Sequence, residues 1–176
     1  MGTTLEESAR LAGRHRWTES RLYEILGGWV VSTSEPEIRV LLDRHSHHCA
    51  WRAAQWWERL PVLADVDRDS LCTPPSDAVA RALGHLAGLE GTEARLAGAY
   101  RVALPRMWAA YRRHGCQAGP AGDGSVLRTL GFVAPDVAAD WQEGERHLQE
   151  LLDDAPKIRS AATVVATLEE MLVPSG

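Results

Sequence analysis

The sequence predicts an all-α protein: an antiparallel four-helix bundle with an additional C-terminal helix. Three observations lead there. Apolar residues recur at helical spacing through most of the chain, and no stretch alternates convincingly as a half-buried strand does. Capping residues, prolines and glycines divide that periodicity into four long segments and one shorter one. A long irregular connection separates the second segment from the third, as in bundles with a crossover between two antiparallel pairs. With 176 residues, 45% hydrophobic and 24% charged, the chain has the size and composition of one globular domain covering 1–176.

Each element has its own signals. Thr4-x-x-Glu7 forms a capping box, and the helix it opens is expected to end at Gly27-Gly28. Ser34-x-x-Glu37, with Pro36 in the first turn, opens a second helix over 36–60, and Pro61 stops it. The connection PVLADVDRDSLCTPPSD follows. Ser76 caps a third helix that runs to YRRHG and is kinked at Pro105. Arg112, Arg113 and His114 suit its C-terminal dipole, and Gly115 terminates it. After the loop GCQAGPAGDG, a fourth helical region begins near Ser125, breaks at Pro135 and reaches Leu152. A fifth segment covers 158–172 and packs on the bundle or on a partner chain.

Composition narrows the function classes. The net charge is −5 and the basic residues are dispersed, which argues against a nucleic-acid surface. No apolar run approaches bilayer length, and the first thirteen residues lack the apolar stretch of a signal peptide. Met1-Gly2 resembles a myristoylation signal only in part, because Glu6 holds the sixth position. Cys49, Cys72 and Cys116 stand singly, as reduced thiols of a cytoplasmic protein do. GPAGDG lacks the Lys-Ser/Thr of a phosphate-binding loop and reads as a turn.

A helix turns about 100° per residue, so the polar side chains that share its apolar face can be picked out. On the first helix Glu19 lies at the centre of the apolar face. On the second, His45 lies inside the face of Ile38, Leu41, Leu42, Cys49, Trp56 and Leu60, with His48 and Arg52 at its edge. His47 projects the other way, beside Val40 and Trp51. On the third helix Glu93 falls near the centre of the stripe and Glu90 within it. On the fourth, Asp140 and His147 share one flank, and Glu143 lies further out. A buried carboxylate is costly unless it is paired, protonated or metal-bound.

Carboxylates and histidines converging from four helices are how di-iron carboxylate proteins hold metal. With Glu19, His45, His48, Glu93, Asp140 and His147 on inward faces, the chain resembles the ferritin-like superfamily over roughly 17–152. The resemblance implies iron or manganese bound by those six residues, with Glu90 in reserve. It also implies a non-haem oxidase or oxygenase acting on a small organic substrate. The family places Glu-x-x-His on the second and fourth helices. Here the second helix carries Arg44-x-x-His47 and His45-x-x-His48, and the fourth carries Gly144-x-x-His147. A one-metal site, an unorthodox two-metal site and a metal-free descendant all stay open.

The competing reading needs no metal. The inward Glu and His residues then form a buried ion network with Arg52, Arg95 or Arg101, in a structural or protein-interaction module. Trp51, Trp56 and Trp57 read as packing residues, and the Trp-rich outer face of the second helix, or the fifth helix, as a homodimer contact. Cys49 reads as an inert buried thiol, since a mid-helix Cys49–His45 pair lacks an oxyanion hole. His15, His85 and His114 are expected on the surface.

Overall fold

The computed structural model describes residues 4–62, 67–119 and 122–173. The Met1-Gly2 start, residues 63–66 of the irregular connection and residues 120–121 of the GPAGDG turn lie outside the described residues. The described chain is helical, in the order α1 (Leu5–Val30), α2 (Pro36–Trp57), a 3-10 turn (Arg68–Leu71), α3 (Asp77–Ala87), α4 (Thr92–Ala97), a π-helical turn (Gly98–Ala103), α5 (Leu104–Gln117), α6 (Gly124–Leu151) and α7 (Ala155–Leu172). No helix among the described residues is long and apolar enough to cross a membrane.

The predicted capping box forms: Thr4 accepts from the Glu7 amide while the Glu7 carboxylate accepts from the Thr4 amide. Gly27-Gly28 does not end α1, which continues to Val30 because Trp29 anchors the last turn in the core. Ser34 does not cap α2; its hydroxyl turns to Glu35, and Pro36 alone pre-sets the first turn. The helix stops at Trp57, three residues short of the expected Leu60.

The expected third helix is instead two limbs. Ser76 caps α3 as expected. The helix ends at Ala87, and the chain turns through Gly88 to Gly91, where φ is +84°. That left-handed conformation suits glycine, which has no Cβ to clash. The helix restarts at Thr92 and passes through the π turn just before Pro105. A π turn shifts the hydrogen-bond ladder by one residue and so accommodates a residue lacking an N–H. Pro135, by contrast, does not break α6. Pro135 and Gly131, four residues before it, both lie on the exposed face, where water can satisfy the freed carbonyl. Buried Val133 and Val137 hold the chain on either side.

Side-chain pairings set the helix directions. Between α1 and α2, Arg16 meets the Ala53 carbonyl and Glu19 meets Arg52, so the two helices run antiparallel. Between α2 and α6, Arg44 meets Glu143 and Arg52 meets Asp136, again antiparallel. Between the π turn and α6, Arg101 meets Glu145, while Gly115 of α5 lies against Leu130. That pair too runs antiparallel. Leu22, Leu26, Leu41, Leu42, Trp56, Leu96, Leu104 and Leu148 fill the shared core. Helices α3 and α7 extend that core with Leu83, Leu86, Ala161 and Leu168, and Gly98 lets Leu86 of α3 and Leu168 of α7 approach the π turn.

Candidate metal centre

Among the described residues, one arginine is buried in the core that α1, α2, α5 and α6 share. Arg52 is fully buried, with Nε donating to Glu19 Oε1 at 2.8 Å and Nη1 to Asp140 Oδ2 at 2.7 Å and Asp136 Oδ2 at 2.6 Å. Its Nη2 donates to Cys49 Sγ at 3.1 Å. Burial opposes the guanidinium charge, yet Glu19 beside it holds the pKa well above the ordinary arginine value. Tyr111 donates to the same Glu19 oxygen at 2.5 Å, and Trp56 Nε1 donates to the Tyr111 hydroxyl at 2.9 Å. Burial and then Glu19 push the Tyr111 phenol and the Cys49 thiol upward, so both stay protonated and Cys49 is no nucleophile. Glu19 Oε2 is buried without a hydrogen-bond partner.

One turn further along α2 the network changes character. His45 and His48 stand at i and i+3, their rings stacked with centroids 5.8 Å apart. Opposite them, Asp140 and Glu143 occupy the same spacing on α6. His48 Nδ1 lies 2.7 Å from Asp140 Oδ1. His45 Nε2 lies 3.4 Å from Asp140 Oδ1 and 3.2 Å from Glu143 Oε2. Nitrogen atoms of His45 and His48 and an oxygen of Asp140 all fall within 4.8 Å of one another. His45 is fully buried, Asp140 nearly so, and the His48 side chain is 38% exposed, so the cluster opens to solvent along one edge.

Neighbouring groups orient these donors. The Tyr100 hydroxyl is 2.8 Å from His45 Nδ1, which leaves Nε2 for the carboxylates. Burial raises the Tyr100 phenol and lowers His45, so the pair is neutral. Tyr100 reaches this position because α6 carries Gly144 beneath its ring; a Cβ there would lie 2.2 Å from Cδ1. Arg44 donates to Glu143 Oε1 at 2.6 Å. Burial opposes the Glu143 charge, but His45 and Arg44 prevail and lower its pKa.

The sequence-predicted donors therefore divide. His45, His48 and Asp140 come together. Glu19 is drawn to Arg52 instead. Glu90 is exposed, and Glu93 sits in the first turn of α4 with its carboxylate folded over Gly91. Glu90 falls within the 88–91 turn and belongs to no helix, and Glu93, at the start of α4, turns its carboxylate back over Gly91 and away from the core. His147 pairs with Glu150 at 3.4 Å and meets Arg146. Of the candidate arginines, Arg95 binds the Leu89 carbonyl and Arg101 pairs with Glu145 outside the core, so the network holds Arg52 alone. Glu143 and Tyr100 are the additions. His15 and His114, expected on the surface, are buried against each other with Nε2 of His15 3.1 Å from Nδ1 of His114.

The donor set fits one divalent cation and not two. Imidazole and carboxylate suit iron, manganese or zinc, and two histidines with one carboxylate is the facial donor set of mononuclear iron oxygenases. Four carboxyl groups (Glu19, Asp136, Asp140 and Glu143) face two guanidinium groups, Arg44 and Arg52. When all are ionised, two negative charges are left over for a cation to offset. A second ion between Glu19 and Asp140 would coincide with the Arg52 guanidinium. Comparison with protein-family models, with characterised proteins and with solved structures finds no match for this chain.

Proposed function

We propose that the protein is a ferritin-like four-helix bundle that binds one iron or manganese ion through His45, His48 and Asp140, with Glu143 as a fourth donor. The observation that carries this reading is the approach of three donor atoms to within 4.8 Å on facing helices. Ligand bonds of about 2.0–2.2 Å need that convergence. The helix directions and the single long connection between α2 and α4 are the features it shares with ferritin-like bundles.

In this reading Arg52 takes the place of a second metal. It holds Glu19 and Asp140 as a divalent ion between two carboxylates would, and it fixes the Asp140 rotamer. Tyr100 fixes the His45 ring in the same way, and such outer partners tune ligand basicity. A bound iron or manganese would supply Lewis-acid and one-electron chemistry, which suits oxidation of a small organic substrate with dioxygen as the electron acceptor. The open edge at His48 is where that substrate enters.

The test is metal content and stoichiometry. Protein purified anaerobically and supplied with Fe(II) or Mn(II) should retain one equivalent after desalting, and His48→Ala should lose it. Mn(II) paramagnetic resonance would report the bound ion without any assay of activity. Less than about a tenth of an equivalent, or binding unchanged in His48→Ala, overturns the reading. The same result would favour the metal-free alternative. Its support is that each donor already has a hydrogen bond inside the cluster.

A further inference from the structure

A second feature lies at the other end of α2, apart from the histidine–carboxylate edge. Trp56 is eleven residues beyond His45, about 16 Å along the helix. There it packs on His15 and His114, with ring centroids 4.6 and 5.9 Å away. Beside that pair is a cavity of about 360 Å³ between α1, α3, the π turn, α5 and α7. Its volume lies in the range of small-molecule pockets, roughly 300–1,000 Å³.

Its chemistry is one-sided. Leu83, Leu86, Val102, Met107 and Leu168 make the interior apolar. The charged lining residues are Arg14, Arg106 and Arg113, with no aspartate or glutamate among the described residues. That bias stands out in a chain of net charge −5. Arg106 is ion-paired with Glu169. Arg14 and Arg113 have no ion-pair partner among the described residues, and both retain contact with solvent. His114 also lines the cavity, and its Nε2 is buried without a hydrogen-bond partner. A buried polar atom of that kind calls for a partner.

We infer that this cavity binds a small amphipathic carboxylate, with its apolar tail among Leu83, Leu86, Val102, Met107 and Leu168 and its anionic head at Arg14 and Arg113. The apolar interior supplies affinity through burial of the tail. The arginines supply selectivity for an anion through charge-assisted hydrogen bonds. A carboxylate fits where an alcohol would leave the cationic rim unanswered and an ammonium would be repelled.

The full-length protein can be titrated calorimetrically with decanoate, decanol and decyltrimethylammonium, each below its micelle concentration. Decanoate should bind saturably at one site. The other two should bind at least about tenfold more weakly, the loss expected for one charge-assisted contact. The double charge reversal Arg14→Glu with Arg113→Glu should weaken decanoate by at least the same factor. Ala110→Trp, which fills the cavity from its wall, should remove binding. Should that variant fail to fold, the surface charge reversal still decides. Multi-site uptake, equal affinity for the three amphiphiles, or unchanged decanoate binding in the reversed protein would each overturn the inference. The metal titration above reads a separate site, so either proposal can fail alone.

Discussion

Arg52 is the residue on which the core depends. It is a fully buried cation among two buried carboxylates and a third at the edge. Removing one partner of such a cluster leaves an uncompensated buried charge, which costs more than the cluster contributes. Arg52→Ala should therefore destabilise the protein by about 3–5 kcal/mol. Arg52→Met combined with Glu19→Gln should recover only part of that, because the Glu19 charge is gone while Asp140 and Asp136 still lack their guanidinium. Urea denaturation of the three proteins checks both statements. An Arg52→Ala loss below about 1 kcal/mol would mean that water reaches the cluster. At this scale the inward direction of Glu19, His45 and Asp140 was legible, because 100° per residue fixes where a Cβ points. Reach was not. Glu143 looked too far out on α6, yet its longer side chain spans to His45 Nε2. Arg52 looked like an edge residue, yet its guanidinium lies at the centre.

At the scale of elements, glycine decides where helices approach. Gly144 admits the Tyr100 ring, and a Cβ there would stand 2.2–2.3 Å from three ring carbons. Gly144→Ala should destabilise the protein by roughly 1–3 kcal/mol, as overpacking does. It should also displace the Tyr100 hydroxyl from His45 and weaken Mn(II) binding by about tenfold, the lower end for a lost outer-shell partner. Gly84→Ala is the control. It lies on the exposed face of α3 with open space around its Cβ, so it should stabilise by about 0.5–1 kcal/mol. Denaturation midpoints and Mn(II) titrations of both variants separate packing from propensity. Matched behaviour of the two variants would remove the packing argument. The sequence made the cap at Ser76 readable because capping is local. The break at 88–91 is not legible in the sequence, because Leu83, Leu86, Leu89 and Leu96 keep one apolar rhythm across it. Only Gly91, with φ of +84°, needs the interruption. The continuity of α6 through Pro135 was equally hidden, since it depends on which face the lost hydrogen bond occupies.

Over the whole molecule, acid should act first through buried histidines rather than through carboxylates. Burial, then His114 and Arg14, hold the His15 pKa down to about 3 from the ordinary 6.5. Burial lowers His114 as well, opposed by Asp123. Trp56 and Tyr111 lay uncharged rings against His15, and its remaining side faces the cavity that Arg14, Arg106 and Arg113 line. The folded protein thus binds fewer protons than the unfolded chain between those two values, and stability must fall as pH falls. The contribution of neutral His15 is fully present above 6.5 and drains away toward about 3. Its slope approaches about 1.4 kcal/mol per pH unit once the unfolded histidine is protonated. The lowered carboxylates Glu143 and Glu145 have the same sign but a lower window, below the ordinary value of 4.5. Urea midpoints measured between about pH 6 and pH 5 should therefore fall steeply in the wild type. His15→Phe keeps a ring against Trp56 while deleting the proton site. Its stability should be lower at neutral pH, because His114 Nδ1 loses its partner, but the pH slope should be shallower by about one proton's worth. A slope identical to wild type would mean that His15 titrates as an ordinary exposed histidine, and that the layer next to the cavity is open to water.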